Sequence, residues 1–290
     1  MEKGKEHLVI YGLKQSGRVW HKTLKCKLEK SSFSPRTANN TVYFRFRDNG
    51  SIKLAVWYID DSLLADDSQE SMDHMVNDIR GSFEISDLGE PSQLLGIWIS
   101  RNRDLGMIHI SQPSFIDTIV KQFNISSGWL VTSPMDPSID LCIAIDIDKT
   151  IDIPYASLIG SINYCTISTH PNIAYATNKC AQFTSQPILT HWEATKWIIK
   201  YLLHTKEYGI TYTQEGKGIE GYAHNLAGYT DADYAGDVND RKSTTGWIFT
   251  FNRSPISWAL KKQGLMTWSS MEAELITGSI ASVKGVINTG

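Results

Sequence analysis

Lys53–Ala65 reads KLAVWYIDDSLLA, two adjacent aspartates held between two apolar runs. Leu54, Val56, Trp57 and Tyr58 are strand formers leading in, and Leu63 and Leu64 lead out. The spacing predicts a β-hairpin with Asp60 and Asp61 at its tip. Neighbouring carboxylates repel each other unless a cation lies between them. Hard oxygen donors of this kind suit Mg²⁺ or Mn²⁺, and paired hard cations are the usual device for in-line phosphoryl displacement. The bland alternative is a solvated turn, because turns are rich in aspartate for reasons of their own.

Around this hairpin the chain reads as mixed α and β. Tyr11–Glu29 is a helix candidate, followed by strands at Tyr43–Phe46 and Ile52–Tyr58 with Asp48-Asn49-Gly50 supplying turn chemistry. Met72, Met75, Val76, Ile79 and Phe83 fall on one helical stripe. Their methionines read as core filler. Ile97–Ile99 and Met107–Ile110 suggest a hairpin around Asp104-Leu105-Gly106. Helical periodicity starts at Ser114, where Ser114 and Asp117 have capping-box spacing. After a loop over Ser127–Ile153, three helices are expected at Ala156–Ser168, Asn172–Thr184 and Thr190–Thr205, the last with Thr190 and Glu193 in capping-box spacing. His191 then reads as a helix-start residue. Gln214–Asn225 is Gly-rich and polar, a plausible boundary. Strand-like runs follow at Leu226–Ala232, Gly246–Phe251 and Ile256–Leu260, then a final helix over Glu272–Val286.

At 290 residues, 41% hydrophobic and 20% charged, the chain suits two globular domains of ordinary size. It shows no secretory leader and no apolar run long enough to span a bilayer. Cys26, Cys142, Cys165 and Cys180 are widely spaced and read as reduced core thiols of an intracellular protein, cytoplasmic or nuclear and not secreted. The net charge of −3 argues against a strong non-specific nucleic-acid binder. Charge is uneven, however: Met1–Lys30 carries eight basic against three acidic residues.

The residues flanking the aspartate pair carry a resemblance. Tyr58-Ile59-Asp60-Asp61 resembles the Y-x-D-D signature of reverse transcriptases, and Tyr11–Trp20 (YGLKQSGRVW) is similar to the YGLKQSPRAW segment of copia-type LTR retrotransposon Pol polyproteins. Asp87-Leu88-Gly89-Glu90 and Leu94-Leu95-Gly96-Ile97 resemble that family's DLGE and FLGI segments. Pro154–Tyr164 and His191–Tyr201 resemble its thumb-like region. Tyr229–Asp233 (YTDAD), Asp240–Gly246 (DRKSTTG) and Ser269–Leu275 (SSMEAEL) resemble the opening of its ribonuclease H domain. The matches run in the family's order from about Leu8 to about Val286.

The resemblance implies an α+β chain, a partial reverse-transcriptase palm with a helical thumb or connection, followed by an incomplete ribonuclease H-like domain. The implied boundaries are 1–112 for the palm, 113–212 for the helical part, 213–225 for a linker and 226–290 for the ribonuclease H-like part. By resemblance, Asp60, Asp61, Asp231 and Glu274 are the catalytic and metal-binding residues, and the metal is Mg²⁺ or Mn²⁺. Lys14, Gln15, Arg18, Leu95 and Gly96 are the nucleic-acid-binding residues, and Asp233 and Glu272 are surface residues. The implied partners are an RNA or DNA template–primer or an RNA–DNA hybrid, with no membrane. At Gly17 the family has proline. The parent family performs two-metal phosphoryl transfer. Its third polymerase carboxylate lies upstream of YGLKQ and its remaining ribonuclease H aspartates lie further downstream. The expectation is therefore a fragment truncated at both ends and inactive alone. The alternative is a non-catalytic nucleic-acid- or protein-binding remnant.

Overall fold

The computed structural model describes residues 13–37, 39–47, 50–126, 128, 130–139, 141–143, 153–214 and 226–289, with side chains in the last helix described to residue 285. The chain divides into two compact units, residues 1–91 and 92–290. Both mix helices with antiparallel sheet.

In the first unit, α1 (Ser16–Lys30) is followed by β1 (Ser34–Arg36), β2 (Asn39–Phe46), β3 (Ile52–Tyr58), β4 (Asp61–Ala65) and α2 (Gln69–Arg80). The strands form a meander in sequence order. Side chains alternate along a strand, and β3 buries Lys53, Ala55 and Trp57 on one face. Leu24 and Leu28 of α1, one helical turn apart, and Met75 and Ile79 of α2 close over Tyr43, Ala55 and Trp57. The methionine-bearing stripe of α2 is therefore core, as its period implies. Asp48 and Asn49 lie outside the described residues, but Gly50 at φ +82° closes the β2–β3 connection by donating to the Arg47 carbonyl at 2.9 Å.

Just past β4 the chain buries a charge. The Asp66 carboxylate has no exposed surface and pairs with Arg47 and, at 3.6 Å, with Lys53. Ser71 Oγ of α2 donates to it at 2.7 Å. Burial alone would raise this carboxyl's pKa; the Ser71 and Arg47 hydrogen bonds outweigh it and hold the group below the ordinary carboxylate range.

The second unit opens with β5 (Gln93–Leu94), β6 (Ile97–Asn102) and β7 (Met107–Ser111), then α3 (Pro113–Gln122), α4 (Tyr155–Ser168), a 3-10 turn at Pro171–Ile173, α5 (Ala174–Ala181) and α6 (Leu189–His204). The helices bury Ile116, Ile119, Leu158, Ile162, Ile198 and Leu202 against one another. α4 buries Tyr155, Leu158, Ile159, Ile162 and Cys165 and leaves Ser157, Gly160, Asn163 and Ile167 exposed, the one-sided pattern of a helix packed on one face. The stretch expected to be helical ends in a strand: β8 (Gly209–Thr213) returns to pair with β7. The crossing is close, since a Cβ at Gly209 would lie 2.0 Å from the Ile110 carbonyl oxygen. The last segment comprises β9 (Leu226–Asp233), β10 (Thr244–Phe251), β11 (Ser254–Lys262) and α7 (Ser270–Thr289), with strand order β11-β10-β9. Residues 215–225 of the expected boundary lie outside the described residues.

Three local expectations need correction. α3 starts at Pro113 with no side-chain cap; Ser114 Oγ instead accepts from Trp98 Nε1 at 2.9 Å, and Asp117 pairs with Lys206. α6 starts at Leu189, and the residue reaching back to its start is His191, whose Nδ1 accepts from Ile188 N at 3.2 Å, rather than Glu193. Of the four cysteines only Cys165 and Cys180 are buried, while Cys26 and Cys142 are exposed. Among the described residues no helix is long and apolar enough to cross a membrane.

Candidate functional site

The β3–β4 hairpin forms where the sequence predicts it. Tyr58 pairs with Asp61, so Ile59 and Asp60 make a two-residue turn. Both aspartates are exposed. Ile59 takes φ +54°, a left-handed conformation that a β-branched side chain resists. Holding a residue there costs about 1–3 kcal/mol. The Trp20 indole Nε1 of α1 donates to the Ile59 carbonyl at 3.1 Å, and such a bond returns about 1 kcal/mol net. Trp20 is itself held edge-on against Phe83 at 5.6 Å, and Lys27 Nζ lies over the Phe83 ring, 4.5 Å from its centroid.

Lys14, Gln15 and Arg18 are all exposed at the start of α1. Gly17 lies in the first turn of that helix, with open space where a Cβ would stand. The helix forms there without the family's proline.

Leu95 and Gly96 form the two-residue turn between β5 and β6, both at positive φ, +52° and +76°. Paired positive φ values suit a tight hairpin. Here too an aromatic donor reaches the carbonyl of the left-handed non-glycine residue: Tyr164 Oη of α4 donates to Leu95 O at 2.5 Å. Replacing Tyr164 with Phe removes that donor and keeps the ring, which stacks edge-on against Phe115 at 5.1 Å. The expected cost is about 1 kcal/mol, read as a lowered urea midpoint with an unchanged slope; an unchanged midpoint would show that the bond adds nothing.

The other two acidic positions lie in the last segment. β9 and β10 run in continuous register, with Asp231 opposite Gly246 and Ala232 opposite Thr245. Thr245 Oγ1 meets Thr277 Oγ1 of α7 at 2.9 Å, so α7 covers the face that carries Ala232 and Thr245. By pleat alternation Asp231 leaves the sheet on the other face. There it lines an open cleft of about 220 Å³ with Ala174, Ile248, Trp258 and Leu260. Glu274 is exposed on α7, one residue past the buried Ala273. Asp231 on β9 and Glu274 on α7 are both exposed. Glu272 is exposed; its carboxylate accepts from Trp268 N at 2.8 Å while Ser269 Oγ accepts from Glu272 N at 3.2 Å. This reciprocal pair caps α7. Asp233 folds its carboxylate over Gly236, where a Cβ would lie 1.9 Å from Oδ2.

Among the described residues, no three His, Cys, Asp or Glu side chains gather to hold a metal. The donor set at Asp60 and Asp61 fits a hard cation in part, two carboxylate ligands with water for the remainder of an octahedron.

One anchoring residue in the DAD-to-DRK stretch was not singled out from the sequence. Asp237 is buried; it accepts from Asn239 N at 2.9 Å and pairs with Lys262 at 2.9 Å and Lys179 of α5 at 3.6 Å. Burial opposes its charge, but the Lys262 hydrogen bond and its other partners hold its pKa below the ordinary carboxylate range. Its work is to tie the β9–β10 connection to β11 and α5.

The reverse transcriptase (RNA-dependent DNA polymerase) family matches residues 5–137. The chain is 34% identical over 289 residues, 95% of its length, to the retrovirus-related Pol polyprotein from transposon TNT 1-94 of Nicotiana tabacum, of which it covers 21%. It is 32% identical over 91% of its length to the Pol polyprotein from transposon RE1 of Arabidopsis thaliana, of which it covers 17%. A transposon Ty5-1 protein of Saccharomyces cerevisiae is 27% identical over 93% of this chain and 85% of its own length. The chain thus spans about a fifth of the two plant polyproteins it matches. No solved structure matches it.

Proposed function

Since the chain belongs to the reverse transcriptase family of retrotransposon Pol polyproteins, we propose that it is the part of a copia-type RNA-directed DNA polymerase that presents the paired palm carboxylates and leads into a ribonuclease H-like segment. The observation that carries this reading is the Ile59-Asp60 turn, which presents Asp60 and Asp61 to solvent between two paired strands. In this reading residues 1–112 are palm, 113–212 thumb or connection, 213–225 linker and 226–290 ribonuclease H-like.

Asp60 and Asp61 are the residues that would hold Mg²⁺ or Mn²⁺, and the metal's contribution is to neutralise charge building on a transferring phosphoryl group. Lys14 and Arg18 supply positive charge for a phosphate backbone, Gln15 a neutral hydrogen-bonding group beside them, and the Leu95-Gly96 turn a place for backbone contact with a primer. The partner is a template–primer or an RNA–DNA hybrid. Asp231 and Glu274 stand at the positions of the ribonuclease H acidic pair. Two exposed carboxylates leave most of an octahedral shell to water, so metal binding is weak and polymerisation by the isolated chain is absent.

The test has two arms. Substoichiometric Mn²⁺ should broaden the amide resonances of Asp60 and Asp61 first, and the Asp60→Asn, Asp61→Asn double variant should lose that broadening. On a primed RNA template with Mg²⁺ and nucleotides the chain should extend no primer. Broadening that ignores the double variant, or extension that the double variant abolishes, would overturn the respective half of the reading.

A further inference from the structure

We propose that Trp20 is a positioning residue for the carboxylate hairpin: its indole N–H holds the Ile59 carbonyl and so keeps the turn that aims Asp60 and Asp61. The inference rests on the reading of those aspartates as metal ligands. Ile59 is a poor residue for a left-handed position, and the chain places it there directly before Asp60. Something outside the turn must hold it. The bond from Trp20 Nε1 at 3.1 Å crosses from α1 to the hairpin tip, 39 residues on. Phe83 stops the indole from swinging away, with its own ring fixed between Trp20 at 5.6 Å and the buried Trp57 at 5.9 Å. The strap is therefore a rigid lever from the core to the tip. Peptide rotation at Ile59 would break this bond and re-aim the Asp60 side chain, because the carbonyl and the next residue's Cα–Cβ direction move together.

The same device recurs at the Leu95-Gly96 turn, where Tyr164 donates to the carbonyl of a left-handed leucine. Two turns that the sequence singles out are each tied down by one aromatic donor from a helix.

The experiment uses the full chain, with Mn²⁺ as the probe. Two variants remove the donor: Trp20→Phe, and a chain carrying 3-benzothienylalanine at position 20, which keeps a bicyclic ring of indole shape without the N–H. Mn²⁺ affinity is read from paramagnetic broadening at Asp60 and Asp61, and the turn from the Ile59 Cα and Cβ shifts, which report its φ without any metal. Both variants should weaken Mn²⁺ about five-fold, the worth of one such hydrogen bond, and should move the Ile59 shifts away from left-handed values. If the unmodified chain shows no broadening at the aspartates, the metal reading fails while the Ile59 shifts still judge the strap. Unchanged affinity and unchanged Ile59 shifts in both variants would overturn the positioning role. Loss in Trp20→Phe but not with the analogue would overturn it as well, assigning the effect to ring packing.

Discussion

Acidification from pH 7.5 to pH 5 should remove about 2 kcal/mol of stability from the second unit through one side chain, rising to about 3 kcal/mol at pH 4. His170, between α4 and the 3-10 turn, has no exposed surface, and burial pushes its pKa down from 6.5 to about 4. The unfolded chain takes up a proton as the pH falls past 6.5, while the folded chain declines it until about pH 4. Unfolding therefore gains ground throughout that window, and the full stability is present above it. The groups bonded around the ring are neutral: Thr169 Oγ1 lies 2.7 Å from Nδ1 and donates in turn to Gln112 Oε1 at 2.7 Å. Nε2 meets no partner among the described residues, so nothing there stabilises a second ring proton. Urea unfolding at pH 7.5, 6.5, 5.5 and 5 measures the effect, above the range where most carboxylates titrate. His170→Gln should flatten the slope across that window. A variant with the parent's slope would show that the proton uptake belongs to another group.

The first unit should depend as heavily on Asp66. Asp66→Asn leaves Arg47 and Lys53 facing a neutral group in a site the carboxylate now fills, and breaking a buried pair of this kind costs about 3 kcal/mol. For a unit of this size that lowers the melting temperature by roughly 10–20 °C. The neighbouring Asp67 provides the comparison, since it also pairs with Arg47, at 2.7 Å, but its side chain is 49% exposed. Asp67→Asn should cost under about 1 kcal/mol, as exposed pairs do. Equal costs at the two positions would show that burial adds nothing to the pair. Because the folded carboxyl of Asp66 is depressed below its ordinary value near 3.8, its contribution is present above that pH and drains away as the pH falls below it. The His170 window lies higher, so the two acid responses separate along the pH axis.

Much of the architecture was legible because local pattern and final packing agree. The stripe Met72, Met75, Val76, Ile79 predicts α2, and Met75 and Ile79 close over Trp57 as that period requires. The strands β2, β3, β6, β7, β9, β10 and β11 were all visible in alternation or apolar runs. The strands that were not visible are short or need a distant partner. β1 and β5 hold three and two residues, too few to show a period, and β8 exists because β7 offers it an edge across almost a hundred intervening residues. Capping boxes were mistaken at α3 and α6 because the motif is common by chance, and a proline or a histidine supplied the start instead.

The sequence by itself determined which side chains are candidates: a hairpin tip bearing Asp60 and Asp61, a tight turn at Leu95-Gly96, and acidic positions at Asp231 and Glu274. These are local facts, set by residue type and by spacings of a few positions. Only the tertiary structure decided what holds each candidate and which way it faces. Trp20 and Tyr164 reach their turns from 39 and 69 residues away, and no local period encodes such a bond. The face on which Asp231 stands is set by the register of β9 on β10, and a shift of one residue would reverse it. Burial, which makes Asp66 a strut, Asp237 an anchor and His170 a proton-refusing ring, is a property of the folded neighbourhood: the same residues in an exposed loop would carry ordinary pKa values and little of the stability.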